Sequence, residues 1–157
     1  MSHARETGRR VLGVVLAAGL AAGGLLLVPA PALAAPELAP VMVVLDSSGS
    51  MKESLAAGGG DKMSAAKKAV RTLVEQSPDD AELGLTVYGT GTGSSEAEKE
   101  AGCKDVKVVH EVAKLDRGKL TKTVDGLQPR GYTPIVESLR KAADALPKEG
   151  KRSIVLV

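Results

Sequence analysis

The chain has 157 residues, enough for one modest domain, with 21 basic and 19 acidic residues and a formal charge of +2. Three of the basic residues and one of the acidic ones fall in the first 34, so the remainder carries 18 of each and is formally neutral. With no basic surplus and only Tyr88 and Tyr132 as aromatics, there is neither an electrostatic footprint nor a stacking platform for nucleic acid, and that class of function is excluded.

Arg5, Arg9 and Arg10 precede an apolar run over residues 11–28, which is followed by Pro29, Pro31 and the small-residue sequence Ala32, Leu33, Ala34, Ala35. That is the layout of a secretory signal with an A-x-A cleavage site. Residues 1–34 are therefore expected to be a signal peptide cleaved near Ala34, giving a secreted protein that begins with a short linker over residues 35–40. The apolar run is also long enough to span a bilayer. Left uncleaved it would anchor the chain in a membrane, although its Ala and Gly content makes it a weak span. Arg9 and Arg10 also allow a twin-arginine signal.

Val41, Met42, Val43, Val44 and Leu45 form a short, uncharged, largely β-branched run. Such a run predicts a strand buried on both faces of a parallel sheet, and so a central one. Asp46, Ser48 and Ser50 follow at its C-terminal end, where ligands bind in open α/β sheets. One carboxylate and two hydroxyls are hard oxygen donors, on a loop that Gly49 keeps pliable. The set suits a hard divalent cation such as Mg²⁺, which keeps several of its about six positions for water or an incoming ligand. The alternative is an Asx or Ser turn that caps the next element.

Residues 62–76 turn helical, with Met63, Ala66, Val70, Leu73 and Val74 on one stripe, Asp61 or Ser64 as start and Ser77 before Pro78 as stop. Residues 83–88 then read as a second strand, a parallel neighbour of the first through a right-handed crossover. The Gly-rich stretches over 58–60 and 89–93 lack the G-x-x-x-x-G-K-[ST] pattern of a phosphate loop and are expected to be plain loops. Residues 106–112 predict a third strand, with Lys107 and Glu111 suited to a sheet edge. Asp116 is placed to cap a short helix through Leu120, Val124 and Leu127. Thr133 and Pro134 then open a helix with Thr at the cap and Pro in the first turn. Its expected buried stripe is Ile135, Val136, Leu139, Ala143 and Leu146. Residues 153–157 read as a final apolar strand.

Catalytic readings find little support in these residues. Cys103, the only cysteine, and His110 could pair as nucleophile and base, but their spacing has no signature and no group orients the base. His110 reads instead as a half-buried strand residue. An aspartyl phosphatase would need a second Asp where Ser48 stands, and neither Ser48 nor Ser50 sits in a G-x-S-x-G elbow. The chain is expected not to be an enzyme, with a hydrolase as a remote alternative.

Asp46, Ser47, Ser48, Gly49, Ser50 and Met51 after a hydrophobic strand resemble the first segment of the metal-ion-dependent adhesion site (MIDAS) of a von Willebrand factor type A (VWA) domain. Gly131, Tyr132, Thr133 and Pro134 resemble its second segment, and residues 153–157 resemble the strand leading to the third. The resemblance implies an α/β class fold: a Rossmann-like doubly wound sheet in the order 3-2-1-4-5-6, mostly parallel, with an antiparallel third strand at one edge. It implies that Ser48, Ser50 and Thr133 are direct metal ligands and that Asp46 acts largely through water or through the hydroxyls. The third-segment Asp would lie beyond Val157, so residues 41–157 are expected to be a partial domain whose fourth strand ends as an exposed apolar edge. Secreted bacterial domains of this type sometimes carry a second Cys after the third segment, which makes Cys103 a possible half of a disulfide. The implied function is a secreted adhesion module that binds Mg²⁺, or Mn²⁺ or Ca²⁺ in its place, and through the metal a carboxylate of a protein or peptide partner. The alternative is a structural or assembly module with a vestigial site.

Overall fold

The structure, a computed structural model, describes residues 38–56 and 58–157. The expected signal peptide and the first linker residues lie outside the described residues. Among the described residues no helix is long and apolar enough to cross a membrane.

Four strands form one sheet: β1 (Val41–Asp46), β2 (Glu82–Tyr88), β3 (Val106–Lys114) and β4 (Ser153–Leu156), in the order β3-β2-β1-β4. β1 runs parallel to β2 on one side and to β4 on the other, and β2 pairs antiparallel with β3. This is the expected mixed sheet, with the apolar run at its centre and the charged strand at an edge. Each strand bonds its neighbours through backbone groups, so β1 has no free edge and its side chains from Met42 to Leu45 are fully withdrawn from water.

Strand alternation sorts those side chains into two cores. Val43 and Leu45 of β1 and Leu83, Leu85 and Val87 of β2 face α1 (Lys62–Gln76) and α3 (Arg117–Gly126), meeting Met63, Ala66, Val70, Val74, Leu120 and Val124. Met42 and Val44 face the other way, toward Tyr88, Val106 and the α4 (Ile135–Ala145) side, where Ala142 and Leu146 close the second core. Asp61 is the cap of α1, its side chain accepting from Ser64 N–H at 2.7 Å, and Asp116 caps α3 through Lys119 N–H at 2.9 Å. Lys67 joins the two helices by donating to the Asp125 and Leu127 carbonyls at 2.8 and 2.7 Å.

One expectation fails at local detail. α4 buries Ser138 and Ala142, while Ile135, Val136 and Ala143 of the expected stripe are exposed, Val136 by 70%. The spacing of its apolar residues allowed two stripes about a third of a turn apart. The small residues Ser138 and Ala142 won because they let the helix lie close to the sheet. Residues 89–93 are the expected loop, and the chain that follows them is ordered further. It contains a 3-10 turn (Glu96–Glu98) running into α2 (Lys99–Gly102), started by a capping box between Ser95 and Glu98. β4 is exposed along Ile154, Val155 and Leu156, as an edge strand of apolar sequence must be when nothing pairs its outer side among the described residues.

Gly84 lies under this second core: a Cβ there would stand 2.6 Å from Met42 Cε and 2.9 Å from Val112 Cγ2. Gly84→Val should therefore overpack the sheet and lower stability by about 1–3 kcal/mol, and Leu85→Ala in the first core by about 2–5 kcal/mol. Urea denaturation measures both; an unchanged midpoint for either variant would contradict this packing.

Candidate functional site

Parallel strands β1 and β2 end side by side, with Asp46 opposite Tyr88 in the register. From there the chain turns sharply. Ser48 N–H donates to Asp46 Oδ1 at 2.6 Å, closing an Asx turn, and a 3-10 turn (Gly49–Lys52) begins directly after Ser48. The Asx turn therefore exists, but it occupies one carboxylate oxygen and neither hydroxyl. Ser48 Oγ and Ser50 Oγ lie 3.2 Å apart. Ser48 is 1% exposed and Ser50 faces solvent, so the pair runs from the interior to the surface.

The second expected segment is brought against the first by backbone bonds. Gly49 N–H donates to Gly131 O at 2.9 Å, and Arg130 N–H donates to Ser47 O at 2.9 Å. Gly131 N–H and Arg130 N–H both donate to Gly89 O, at 2.9 and 3.2 Å. This convergence requires glycine. Gly89 has a φ of +72°, and a Cβ on it would lie 2.8 Å from Tyr132 O and 2.9 Å from Ser48 Cα. Thr133 follows this clamp, exposed at the start of α4. Its expected role as helix cap is not the one found. Pro134 occupies the cap position and no side chain caps this end; Thr133 contributes its carbonyl, accepting from Ile135 N–H at 2.9 Å. Pro134 takes a non-helical backbone (φ −79°, ψ 65°), so the helix starts one residue later and the Thr133 hydroxyl is left out of the cap.

Residues 89–105 form an arm beside these two loops. Its base is closed by Gly89 N–H to Asp105 O at 3.1 Å. Asp105 is 8% exposed and accepts Gly91 N–H at 2.6 Å and Thr92 N–H at 3.2 Å. Glu98 takes Gly93 N–H at 2.7 Å and the Ser95 hydroxyl at 2.5 Å. Cys103 sits exposed at the end of α2 and is free among the described residues. His110 lies on β3, half-buried, opposite Leu85, with Nε2 buried and unpartnered among the described residues.

Asp46, Ser48 and Ser50 thus stand on one loop, with the Thr133 segment clamped to it, while Cys103 belongs to the neighbouring arm. Tyr88 was not singled out from the sequence. Its phenol is pushed well above the ordinary tyrosine range, first by burial and then by the negative charge of Asp46, and so stays protonated. The signal was present in the register: two strands that end together place the last residue of one beside the last residue of the other.

A hard cation fits this donor set. An octahedron with metal–oxygen bonds of about 2.0–2.1 Å sets adjacent ligands roughly 3.0 Å apart, close to the 3.2 Å between the Ser48 and Ser50 hydroxyls. No group of three or more His, Cys, Asp or Glu side chains comes together among the described residues. The candidate donors, Asp46, Ser48, Ser50 and Thr133, supply one carboxylate and three hydroxyls, a set of low charge. A concavity of about 480 Å³ opens at the opposite end of the sheet, around Leu38, Pro40, Glu82 and Lys151. The claim of the loop cluster rests on its donors.

Two consequences can be measured. Gly89→Ala meets both the left-handed backbone and the Ser48 and Tyr132 backbones, so it should lower stability by about 1–3 kcal/mol or more in urea denaturation, and a neutral result would contradict the clamp. Glu98 is held below the ordinary glutamate value of 4.5, first by the Ser95 side chain and then by the Gly93 amide. A carboxylate with a depressed folded pKa stabilises the fold above its unfolded value and stops doing so as pH falls through the folded one. The Gly93 amide resonance should accordingly titrate with a midpoint below 4.5, and Glu98→Gln should remove that titration.

Comparison with known proteins agrees with this architecture. The family model described as von Willebrand factor type A domain matches residues 41–157. An uncharacterized protein of Bacillus subtilis (strain 168), YwmD, is 30% identical over 148 residues, covering 91% of this chain and 65% of the relative's length. Among solved structures, a mutant of the PilB minor pilin from Streptococcus sanguinis superposes with a TM-score of 0.58 at 19% identity, over 80% of this chain and 30% of that one. The von Willebrand factor type A structure from Catenulispora acidiphila gives a TM-score of 0.50 at 21% identity, over 69% and 23%. With its family matched over three-quarters of its length and its sheet order as that fold requires, the chain belongs to the von Willebrand factor type A domain family.

Proposed function

We propose that this chain is a secreted, metal-dependent protein-binding module, in which Asp46, Ser48, Ser50 and Thr133 hold a hard divalent cation and the cation takes a carboxylate from a protein or peptide partner. Membership of the von Willebrand factor type A family supports a protein-interaction or adhesion module in general. The observation that carries the metal is the clamp: Gly49 N–H to Gly131 O at 2.9 Å brings the Thr133 segment to a loop whose two serine hydroxyls are already at ligand spacing. Mg²⁺ matches the oxygen donors best, with Mn²⁺ or Ca²⁺ as substitutes. In this role Asp46 lends the negative charge and fixes the loop through Ser48 N–H, the serines and Thr133 offer oxygens, and Tyr88 stays neutral beside the carboxylate. Export rests on the layout of residues 1–34. No catalytic role is assigned.

A second reading, a structural or assembly module with a vestigial site, is favoured by the low charge of the donor set and by the ability of the Ser48 and Ser50 hydroxyls to satisfy one another. Titration calorimetry separates the two. The protein should bind Mg²⁺ and Mn²⁺ saturably. Asp46→Ala should weaken binding about tenfold or more through loss of the one anionic donor, and Thr133→Val should weaken it less. Equal heats for the protein and its Asp46→Ala variant would sink the metal reading and leave the structural one.

A further inference from the structure

The arm over residues 89–105 touches the second loop at three levels. At its base the Gly89 carbonyl takes both the Arg130 and Gly131 amides. Further out, Thr92 lies against Gly131 so closely that a Cβ there would stand 2.9 Å from Thr92 O and 3.0 Å from its Oγ1. At the top, the Tyr132 hydroxyl donates to Ser95 O at 2.8 Å. There too, Gly102 of α2 is buried directly against the Tyr132 ring, where a Cβ would overlap the ring edge. Tyr132 is therefore gripped at both ends: its carbonyl packs on Gly89 and its ring lies between Ser95 and Gly102.

The Thr133 side chain has no comparable tether among the described residues: it is exposed and its hydroxyl caps nothing, while its carbonyl accepts Ile135 N–H at 2.9 Å and Tyr132 directly precedes it. The arm, by contrast, is internally fixed by Asp105 and Glu98 through bonds to Gly91, Thr92, Gly93 and Ser95. A rigid arm that grips one residue sets where the next one begins.

We propose that Tyr132 is a positioning residue through which the 89–105 arm holds Thr133 beside the Asp46 loop. The mechanical part of this proposal stands on the contacts above; its consequence for a cation rests on the metal-binding reading. A ligand held in place before the cation arrives loses less freedom on binding, and residues that orient a metal ligand typically change affinity by about 10–100-fold when removed. Gly102 belongs to the same device, because only glycine lets α2 approach the ring.

The test is amide hydrogen exchange in the presence of chelator, together with Mn²⁺ affinity, for the protein and for Tyr132→Phe, Tyr132→Ala and Gly102→Ala. Thr133→Ala and the Tyr132→Ala, Thr133→Ala pair complete the set. Exchange at Gly131, whose amide donates to Gly89 O, should rise about tenfold in Tyr132→Ala and Gly102→Ala, and less in Tyr132→Phe, which loses a single hydrogen bond. Exchange in β1 and α1 should not change. Mn²⁺ affinity should fall about tenfold in Tyr132→Ala, and should fall no further when that change is added to Thr133→Ala. Unaltered exchange at Gly131 in both Tyr132→Ala and Gly102→Ala would overturn the proposal whatever the metal does. So would a Tyr132→Ala loss of Mn²⁺ affinity that is equally large without Thr133, as a general defect would give. Raised exchange in the variants with no Mn²⁺ binding by the parent protein would establish the arm's hold on Thr133 and overturn the metal reading instead.

Discussion

Everything at the loop cluster depends on β1 having no face toward water. Met42, Val43, Val44 and Leu45 are fully buried, two on each side of the sheet, and withdrawing each such side chain is worth about 1.5–3 kcal/mol. With β2 and β4 bonded to its two edges, the strand is fixed in direction, depth and register together. A slip of one residue would exchange the two cores. The same constraint orients the loop that follows. By alternation Asp46 falls on the Tyr88 side, and Ser47 falls on the α1 side, where its hydroxyl reaches Met63 Sδ at 3.9 Å.

Beyond the strand ends, hydrophobic burial no longer specifies position, and backbone hydrogen bonds take over. The Ser47, Gly89 and Gly131 carbonyls each accept an amide from another loop, and each lies where an unpaired buried carbonyl would be costly. The chains approach closely enough for these bonds because three glycines, at 49, 89 and 131, stand where they cross. Loops from distant parts of the sequence are thus locked with little apolar contact between them. What they hold, the hydroxyls of Ser48, Ser50 and Thr133, comes to one end of the sheet as a result.

The sheet was legible because its strands are short apolar runs of unambiguous type, and the Asp46, Ser48, Ser50 pattern was legible because it is local. Asp61 and Asp116 likewise announce the helices they cap. The face of α4 was not legible: a helix with Ile135, Val136, Leu139, Ala142, Ala143 and Leu146 offers more apolar side chains than one stripe can bury. The choice among them was made by how closely Ser138 and Ala142 allow the helix to approach the sheet. The short helix in the arm was not singled out for another reason. Gly-rich sequence over 89–93 drew attention from the Ser95 and Glu98 pair three residues apart, a helix-start signature in its own right. Tyr88 and Tyr132 were visible only as scarce aromatics, since their roles come from strand register and from a contact across 37 residues.

Some donors of the loop cluster are already partnered within the protein, while Thr92 Oγ1, against Gly131, is buried with no partner among the described residues. Asp46 Oδ1 has the Ser48 amide, the two serine hydroxyls have each other, and Thr133 is exposed. That separates it from structural metal sites, whose ligands repel or stay disordered until the ion arrives, so that binding and folding are one event. Here the fold is set by β1 and the glycine crossings, and the two serine hydroxyls stand near ligand spacing without an ion. A cation at such a place would not be needed to build the domain. Its affinity would be decided by how little charge Asp46 alone provides and by how well the neighbouring backbone keeps the hydroxyls in place. A partner carboxylate would then matter twice, filling an open coordination position and adding the negative charge that the site lacks, which couples cation binding to partner binding through simple electrostatics.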